Sequence, residues 1–179
     1  MAVYRIADLN IKIENKHNHL NVLCKDYLSD DQTSYDFVAY PNEADYEKDK
    51  LAVPNATDGY LEALSIYRGI AGKLLDFDGF VLHASVIEKD GKAFAFSAKS
   101  GTGKTTHSRM WLKAFPDARI INGDKPLVRF YDGNFYAYGT PWCGKENYNI
   151  NAKAKLSAIC FIERAETNSI EPLEMSECV

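Results

Sequence analysis

The chain is expected to fold as an α/β domain with a mixed sheet rich in hairpins, preceded by a small β-rich N-terminal region. Three observations carry that expectation. Asp90-Gly91 and Asp132-Gly133 each separate a pair of apolar runs of strand length, the strongest short-range hairpin signal. Two stretches, one after Thr57 and one after Gly103, change to helical spacing. Of the 179 residues, 46% are hydrophobic and 26% charged, a balance that supports a packed core.

Val3 to Ile6, Leu20 to Leu23 and Phe37 to Tyr40 are short apolar-aromatic runs. Polar breaks at Glu14-Asn15-Lys16 and Ser29-Asp30-Asp31 separate them, and all three read as strands of the leading region, residues 1–56. Pro41 to Lys50 is charged and reads as a loop. From Asp58 the apolar residues Leu61, Leu64, Ile66, Tyr67, Ile70, Leu74 and Leu75 recur at helical spacing. Thr57 or Asp58 caps that helix, which ends near Asp76.

Residues 57–179 form the expected core. Phe80 to Ile87 reads as one strand, turning at Lys89-Asp90-Gly91 into Ala93 to Phe96. A helix over Lys104 to Ala114 stops at Phe115-Pro116-Asp117. Arg119 to Ile121 is a short strand, and Leu127 to Tyr131 pairs with Phe135 to Tyr138 across Asp132-Gly133-Asn134. Leu156 to Ile162 is a further strand, Ile170 to Leu173 is placed to pair back on it, and Glu174 to Cys178 reads as the opening of another helix. Hairpins outnumber parallel crossovers in this scheme.

Charge narrows the function. A net charge of −4 and a pI of about 5.6 give no overall basic excess for nucleic acid or an anionic membrane. The apolar runs are too short to span a bilayer, and Met1 to Asn10 lacks the apolar stretch of a signal peptide, so a cytoplasmic location is expected. Cys24, Cys143, Cys160 and Cys178 form no C-x-x-C pair and read as free thiols in a reducing compartment.

The chemistry concentrates at Ala98-Lys99-Ser100-Gly101-Thr102-Gly103-Lys104-Thr105, which matches the phosphate-binding-loop pattern with Ala in place of its first Gly. An apolar strand delivers the chain to a turn of small residues. There Gly101 and Gly103 let successive N–H groups point at phosphate oxygens, and the helix that follows adds the positive end of its dipole. Lys104 is expected on the β/γ phosphates of a nucleoside triphosphate and the Thr105 hydroxyl on Mg²⁺.

Phosphoryl transfer also needs a carboxylate. Asp124 follows a short strand one helix-plus-strand unit after Lys104, a connection that returns the chain to the same sheet edge; a plain turn aspartate is the alternative. His83 lies within Val81-Leu82-His83-Ala84-Ser85, and taken alone an isolated strand histidine is more often structural than catalytic. Gly139-Thr140-Pro141-Trp142-Cys143-Gly144-Lys145 is a second glycine loop with a cation. Its Gly144 and Lys145 either close over a substrate phosphate or hydroxyl, or belong to a surface turn anchored by a buried Trp142.

Together these features resemble the HPr kinase/phosphorylase group and its serine-kinase relatives, over roughly Gly79 to Leu173. The resemblance rests on the Leu82-His83-Ala84 segment, the hairpin entering the loop, Asp124 one unit later, and the Gly-Thr-Pro-Trp-x-Gly-Lys loop. Phe96 through Thr105-Thr106 is also similar to the loop of phosphoenolpyruvate carboxykinases, which share that nucleotide-binding core. The resemblance implies ATP and Mg²⁺ as cofactors, Thr106 within the nucleotide-binding set, and phosphorylation of a hydroxyl on a protein serine or a small molecule. Asp124 would be the base or metal ligand and His83 its partner.

Relatives of this kind often form rings or dimers, so a homo-oligomer is an open expectation. Family members usually continue into further helices, and against them this core reads as C-terminally truncated. Two other functions stay open. One is a non-catalytic nucleotide-binding accessory or regulatory module, because Gly123-Asp124-Lys125 holds one acid where the kinases commonly hold two. The other is carboxykinase-like transfer to a small carboxylic acid, which calls for an arginine cluster that Arg109, Arg119 and Arg129 do not form in sequence.

Overall fold

Alternating apolar residues build the first sheet. In the computed structural model, which describes residues 1–174, β1 (Ala2–Ile6) and β2 (Leu9–Ile13) form an antiparallel hairpin. Leu9, Ile11 and Ile13 face inward at every second position. The turn residues Ala7 and Asp8 both take left-handed backbone angles, with φ of 53° and 61°, as a two-residue hairpin turn requires. β3 (Phe37–Ala39) then joins β2 in parallel.

The runs between and after these strands differ from expectation. Leu20 to Leu23 is not a strand but part of the helix α1 (Asn18–Leu23). Leu20 is buried and Val22 is 61% exposed, so a run that is apolar by composition presents only one residue fully to the core. Residues 41–50 are not a loop but lie mostly in α2 (Glu43–Ala52). Its signals are polar: the Asn42 side chain caps the Asp45 N–H, Glu43 and Asp45 occupy the first turn, and its one buried residue is Asp49. A helix without an apolar stripe has no hydrophobic period to read.

α3 (Asp58–Lys73) begins where Thr57 accepts the Tyr60 N–H, and a 3₁₀ turn over Leu74–Phe77 ends it at Asp78. Ala63, Ile66, Tyr67 and Ile70 on this helix share one core with Tyr4, Ile6, Ile11 and Ile13 below and with Leu127, Tyr138 and Trp142 beyond.

The second sheet has seven strands: β4 (Gly79–Val81), β5 (Ala84–Lys89), β6 (Lys92–Ser97), β7 (Arg119–Asn122), β8 (Leu127–Tyr131), β9 (Asn134–Tyr138) and β10 (Lys153–Phe161). They run in the order β4-β8-β9-β10-β6-β5-β7. Only β10 and β6 are parallel neighbours, so the architecture is mixed α/β with a curled mixed sheet. Both Asp-Gly hairpins form, with φ of 53° and 74° at Asp90-Gly91 and 49° and 70° at Asp132-Gly133. Helix α4 (Lys104–Ala114) covers one face, its Trp111 ring 5.4 Å from Phe94 and 5.5 Å from Phe96. The other face is lined by Ala84, Val86, Ala93, Ala95, Ala137 and Ala154, side chains small enough for the strands to curl around them.

Phe80 to Ile87 is not one strand. β4 pairs with β8 at one end of the sheet and β5 with β6 and β7 at the other. Between them the Leu82 N–H bonds the Pro126 carbonyl and the Ala84 N–H bonds the Asp124 carbonyl, both at 3.1 Å. The two segments therefore continue as one antiparallel ribbon, bent at His83, that joins the ends of the sheet. Residues 170–173 form no strand, and residues 175–178 of the expected last helix lie outside the described residues. No described helix is long and apolar enough to cross a membrane.

Candidate functional site

Strand direction assembles the site. β6 and β7 each lie antiparallel to β5, so they point the same way, and β10 is parallel to β6. The C-terminal ends of β6, β7 and β10 and the start of β5 therefore meet at one rim. Residues 98–103 leave β6 there, Asn122-Gly123-Asp124 ends β7, Arg164 follows β10, and His83 precedes β5.

None of residues 98–103 is buried. Gly101 and Gly103 take φ of 80° and 127°, and nothing lies within 4 Å of where a Cβ would stand on either. Those angles suit glycine alone among residues with easy access to the left-handed region. The Thr102 N–H bonds the Lys99 carbonyl at 3.2 Å. Lys104 folds back over the loop, its Nζ donating to the Ala98 carbonyl at 2.7 Å. α4 starts at Lys104 with no side-chain cap, which leaves first-turn N–H groups free to meet an anion. Thr105 is half-buried, whereas Thr106, Lys99 and Ser100 are exposed. Ser108, fully buried, shares a 2.7 Å hydrogen bond with Ser85 and donates to the Lys104 carbonyl, tying the first turn of α4 to β5.

Asn122 sets the opposite wall. Its fully buried Oδ1 accepts the N–H of Asp124 at 2.9 Å and of Lys125 at 2.8 Å, while its Nδ2 donates to both oxygens of Thr140. The turn so fixed presents Asp124, whose Oδ1 lies 3.3 Å from His83 Nε2. His83 is more exposed than an interior strand residue because it stands at the bend between β4 and β5.

The 139–145 loop reaches the same place. Its Trp142 is buried, donates from Nε1 to the Ala63 carbonyl at 3.2 Å and packs 5.1 Å from the Tyr67 ring. Two residues on, Gly144 backs onto Asp124, where a Cβ would stand 3.1 Å from the Asp124 Cβ. Lys145 is exposed. Glu146 is held by Arg109 at 2.7 Å, and Arg109 also donates to the Tyr148 hydroxyl. Burial, with the Asp124 charge adding to it, pushes the Tyr67 hydroxyl and the Cys143 thiol up from their ordinary values. Cys24, Cys143 and Cys160 are free thiols, and Cys178 lies outside the described residues.

Asn122 and Arg164 have no place among the residues singled out from sequence. The Asn-Gly-Asp run of the first signals a side-chain-stabilised turn. Arg164, whose guanidinium donates to the Gly101 carbonyl at 2.6 Å and the Thr102 carbonyl at 3.3 Å, is brought to the loop by strand pairing alone and has no local signal. The arginines weighed for a carboxylic acid are committed elsewhere: Arg119 to Glu88, Arg129 to the Phe77 and Ala7 carbonyls, Arg109 to Glu146. Among the described residues no three His, Cys, Asp or Glu side chains gather as metal ligands. An open cleft of about 670 Å³, lined by Glu14, Tyr40, Glu43, Tyr46 and Glu62 among others, shares no residue with the rim. Its carboxylates suit a phosphate poorly.

No curated protein sequence matches the chain. Among solved structures it is weakly similar to the Hpr(Ser) kinase/phosphatase from Coxiella burnetii, at 10% identity and a TM-score of 0.37, over 51% of this chain and 65% of that one. The chain thus spans 65% of the length of that protein. A family model described as SynChlorMet cassette protein ScmC matches residues 56–179, more than half of the chain. The chain belongs to the SynChlorMet cassette protein ScmC family.

Proposed function

We propose that this protein binds Mg·ATP at residues 98–106 and transfers its terminal phosphoryl group to a hydroxyl, of a protein serine or a small molecule, in the manner of the HPr-kinase-like serine kinases. The observation that carries this reading is the shared rim, where an open glycine loop, an uncapped helix start and the Asp124–His83 pair come from strand ends at the same edge of the sheet.

The residues fit the nucleotide and its metal. No neighbouring atom fills the space beside Gly101 and Gly103. A hydroxyl at Thr105 and a carboxylate at Asp124 are hard oxygen donors of the kind Mg²⁺ takes alongside phosphate oxygens. Bound Mg·ATP supplies the transferable phosphoryl group and the divalent charge. The loop amides and Lys104 hold the phosphates and stabilise charge that moves onto them. Asp124 orients the acceptor hydroxyl or takes its proton, and His83 fixes the Asp124 carboxylate. Gly144, with no side chain between it and Asp124, leaves that carboxylate open to an acceptor.

A second reading, nucleotide binding without turnover, is favoured by one specific feature. Asp124 is a single acid, and the nearby Glu146 is taken by Arg109. Calorimetric titration with Mg·ATP beside an ADP-release assay separates the two. Lys104→Ala is expected to weaken Mg·ATP binding by at least about tenfold, and unchanged affinity would overturn the nucleotide site. Asp124→Asn is expected to keep most binding and remove turnover. Binding by the unmodified protein with no turnover on any hydroxyl acceptor would favour the second reading.

A further inference from the structure

A loop that grips phosphate through N–H groups must first hold its peptide planes in the right sense. In each peptide unit the carbonyl and the N–H point in opposite directions. Fixing one carbonyl outward therefore fixes the next residue's N–H inward. Side-chain sterics do not do this here, because a Cβ at Gly101 or Gly103 would meet nothing within 4 Å and each glycine can adopt many backbone angles. Lys104 does not do it either, since its Nζ is bound to the Ala98 carbonyl at the start of the loop.

The Gly101 and Thr102 carbonyls both accept from Arg164, at 2.6 Å to Nη2 and 3.3 Å to Nε. The planes they fix carry the N–H groups of Thr102 and Gly103. The Thr102 N–H is turned into the loop, toward the Lys99 carbonyl at 3.2 Å. Arg164 reaches this position through β10: Phe161 pairs with Ser97 in parallel register, and the Ile162 N–H bonds the Ser97 carbonyl at 2.8 Å, setting the chain beside the base of the loop. A planar guanidinium with two donors suits two adjacent carbonyls, whereas a lysine ammonium offers a single point of charge.

We infer that Arg164 is a positioning residue of the phosphate site, presetting the Thr102 and Gly103 amides for a nucleotide's phosphates by clamping the carbonyls of the same two peptide planes. The inference rests on the nucleotide-binding reading of the loop. It also extends that site some sixty residues past the motif, to a segment reached only through strand pairing. Because the side chain is exposed and its partners lie in a loop without buried residues, the fold does not depend on it.

The test is calorimetric titration of the full chain, unmodified, Arg164→Ala and Arg164→Lys, with Mg·ATP and separately with inorganic pyrophosphate. Amide ¹H–¹⁵N spectra of each protein without ligand accompany it. Arg164→Ala is expected to raise the Kd for both ligands by about tenfold, with Arg164→Lys between the two. Its thermal midpoint without ligand stays at the unmodified value, while the Thr102 and Gly103 amide signals shift or broaden. A purely structural role would lower the midpoint and disturb amides across the sheet, and would count against the inference. Equal affinity in all three proteins would overturn it while leaving the nucleotide site standing. Failure of the unmodified protein to bind either ligand would overturn both.

Discussion

Around helix α3, Leu61, Ile66 and Ile70 are wholly out of reach of water, whereas in the loop before α4 no residue from 98 to 103 is buried. The first region is held by area. Each fully buried aliphatic side chain there contributes about 1.5–3 kcal/mol by leaving water. Polar ties then fix its register: Arg129 donates to the Ala7 carbonyl, Tyr138 to Asp8, and Lys153 pairs with Asp8. The loop is held by a few directional hydrogen bonds to its own carbonyls, from Thr102, Lys104 and Arg164. Bonds of that kind can be exchanged for bonds to a ligand at little net cost, and buried area cannot. If the loop binds a nucleotide as proposed, stability and recognition draw on separate sets of interactions, and a substitution can strike one without the other.

The sharpest way to break that division is at Trp142, which belongs to both regions. It is packed into the α3 core, yet it stands two residues before Gly144 at the site. Trp142→Ala is expected to cost about 3–5 kcal/mol of folding stability, read as a lower midpoint in urea unfolding. The ring's contact with Tyr67 and the hydrogen bond to Ala63 are lost together. A loss below about 0.5 kcal/mol, the size of an ordinary surface change, would mean that the 139–145 loop is not anchored in the core, and the contrast would fail.

Asn122 sharpens the comparison from the other direction, as a buried polar hub under the rim. Asn122→Ala leaves the N–H groups of Asp124 and Lys125 without their acceptor and removes the Asn122 donor from the Thr140 hydroxyl. The expected cost is smaller, about 1–3 kcal/mol. On the proposed kinase function, a selective loss of turnover should accompany it, because the Asp124 turn is no longer fixed. Unfolding in urea beside the ADP-release assay checks both. Full stability with full turnover would show that the turn holds itself without Asn122.

This contrast also explains what sequence can and cannot disclose. Interactions between near neighbours in the chain are legible: the Asp-Gly turns, the Thr57 cap and period of α3, and the run of β6, loop and α4 with its Gly101 and Gly103. Interactions made by strand pairing are not. The break at His83 arises because its two flanks pair with opposite ends of one sheet, while the composition of Phe80 to Ile87 is uniformly strand-like. β2 escapes a reading by turn signals because its alternation, Leu9-Asn10-Ile11-Lys12-Ile13, follows directly on the Ala7-Asp8 turn, which carries no glycine. α2 is invisible to hydrophobic period because charges and a cap sustain it. At the candidate site the loop and Asp124 are proposed from motif and spacing, whereas Arg164 cannot be, since only the register of β10 brings it there.

The smallest expected effect concerns that same α2, which meets α3 through a charge rather than an apolar stripe. Asp49 accepts from Arg68 at 2.5 and 2.8 Å, a bidentate pair whose arginine side is 43% exposed. The Arg68 guanidinium holds the Asp49 carboxyl below its ordinary range, outweighing the opposing effect of burial. A carboxylate with a depressed folded value stabilises the protein at pH above its unfolded value, near 3.9, and that contribution is lost as pH falls through the lower folded value. With one partner so exposed, solvent screening limits the gain to about 1 kcal/mol or less. Asp49→Asn is therefore expected to be slightly less stable than the unmodified protein at pH 7, in low salt, by urea unfolding. The difference should shrink toward zero as pH falls below 3.9 and should also narrow in high salt. A difference that stayed constant through that acid range would assign the stabilisation to hydrogen-bond geometry or packing at Asp49 rather than to its charge.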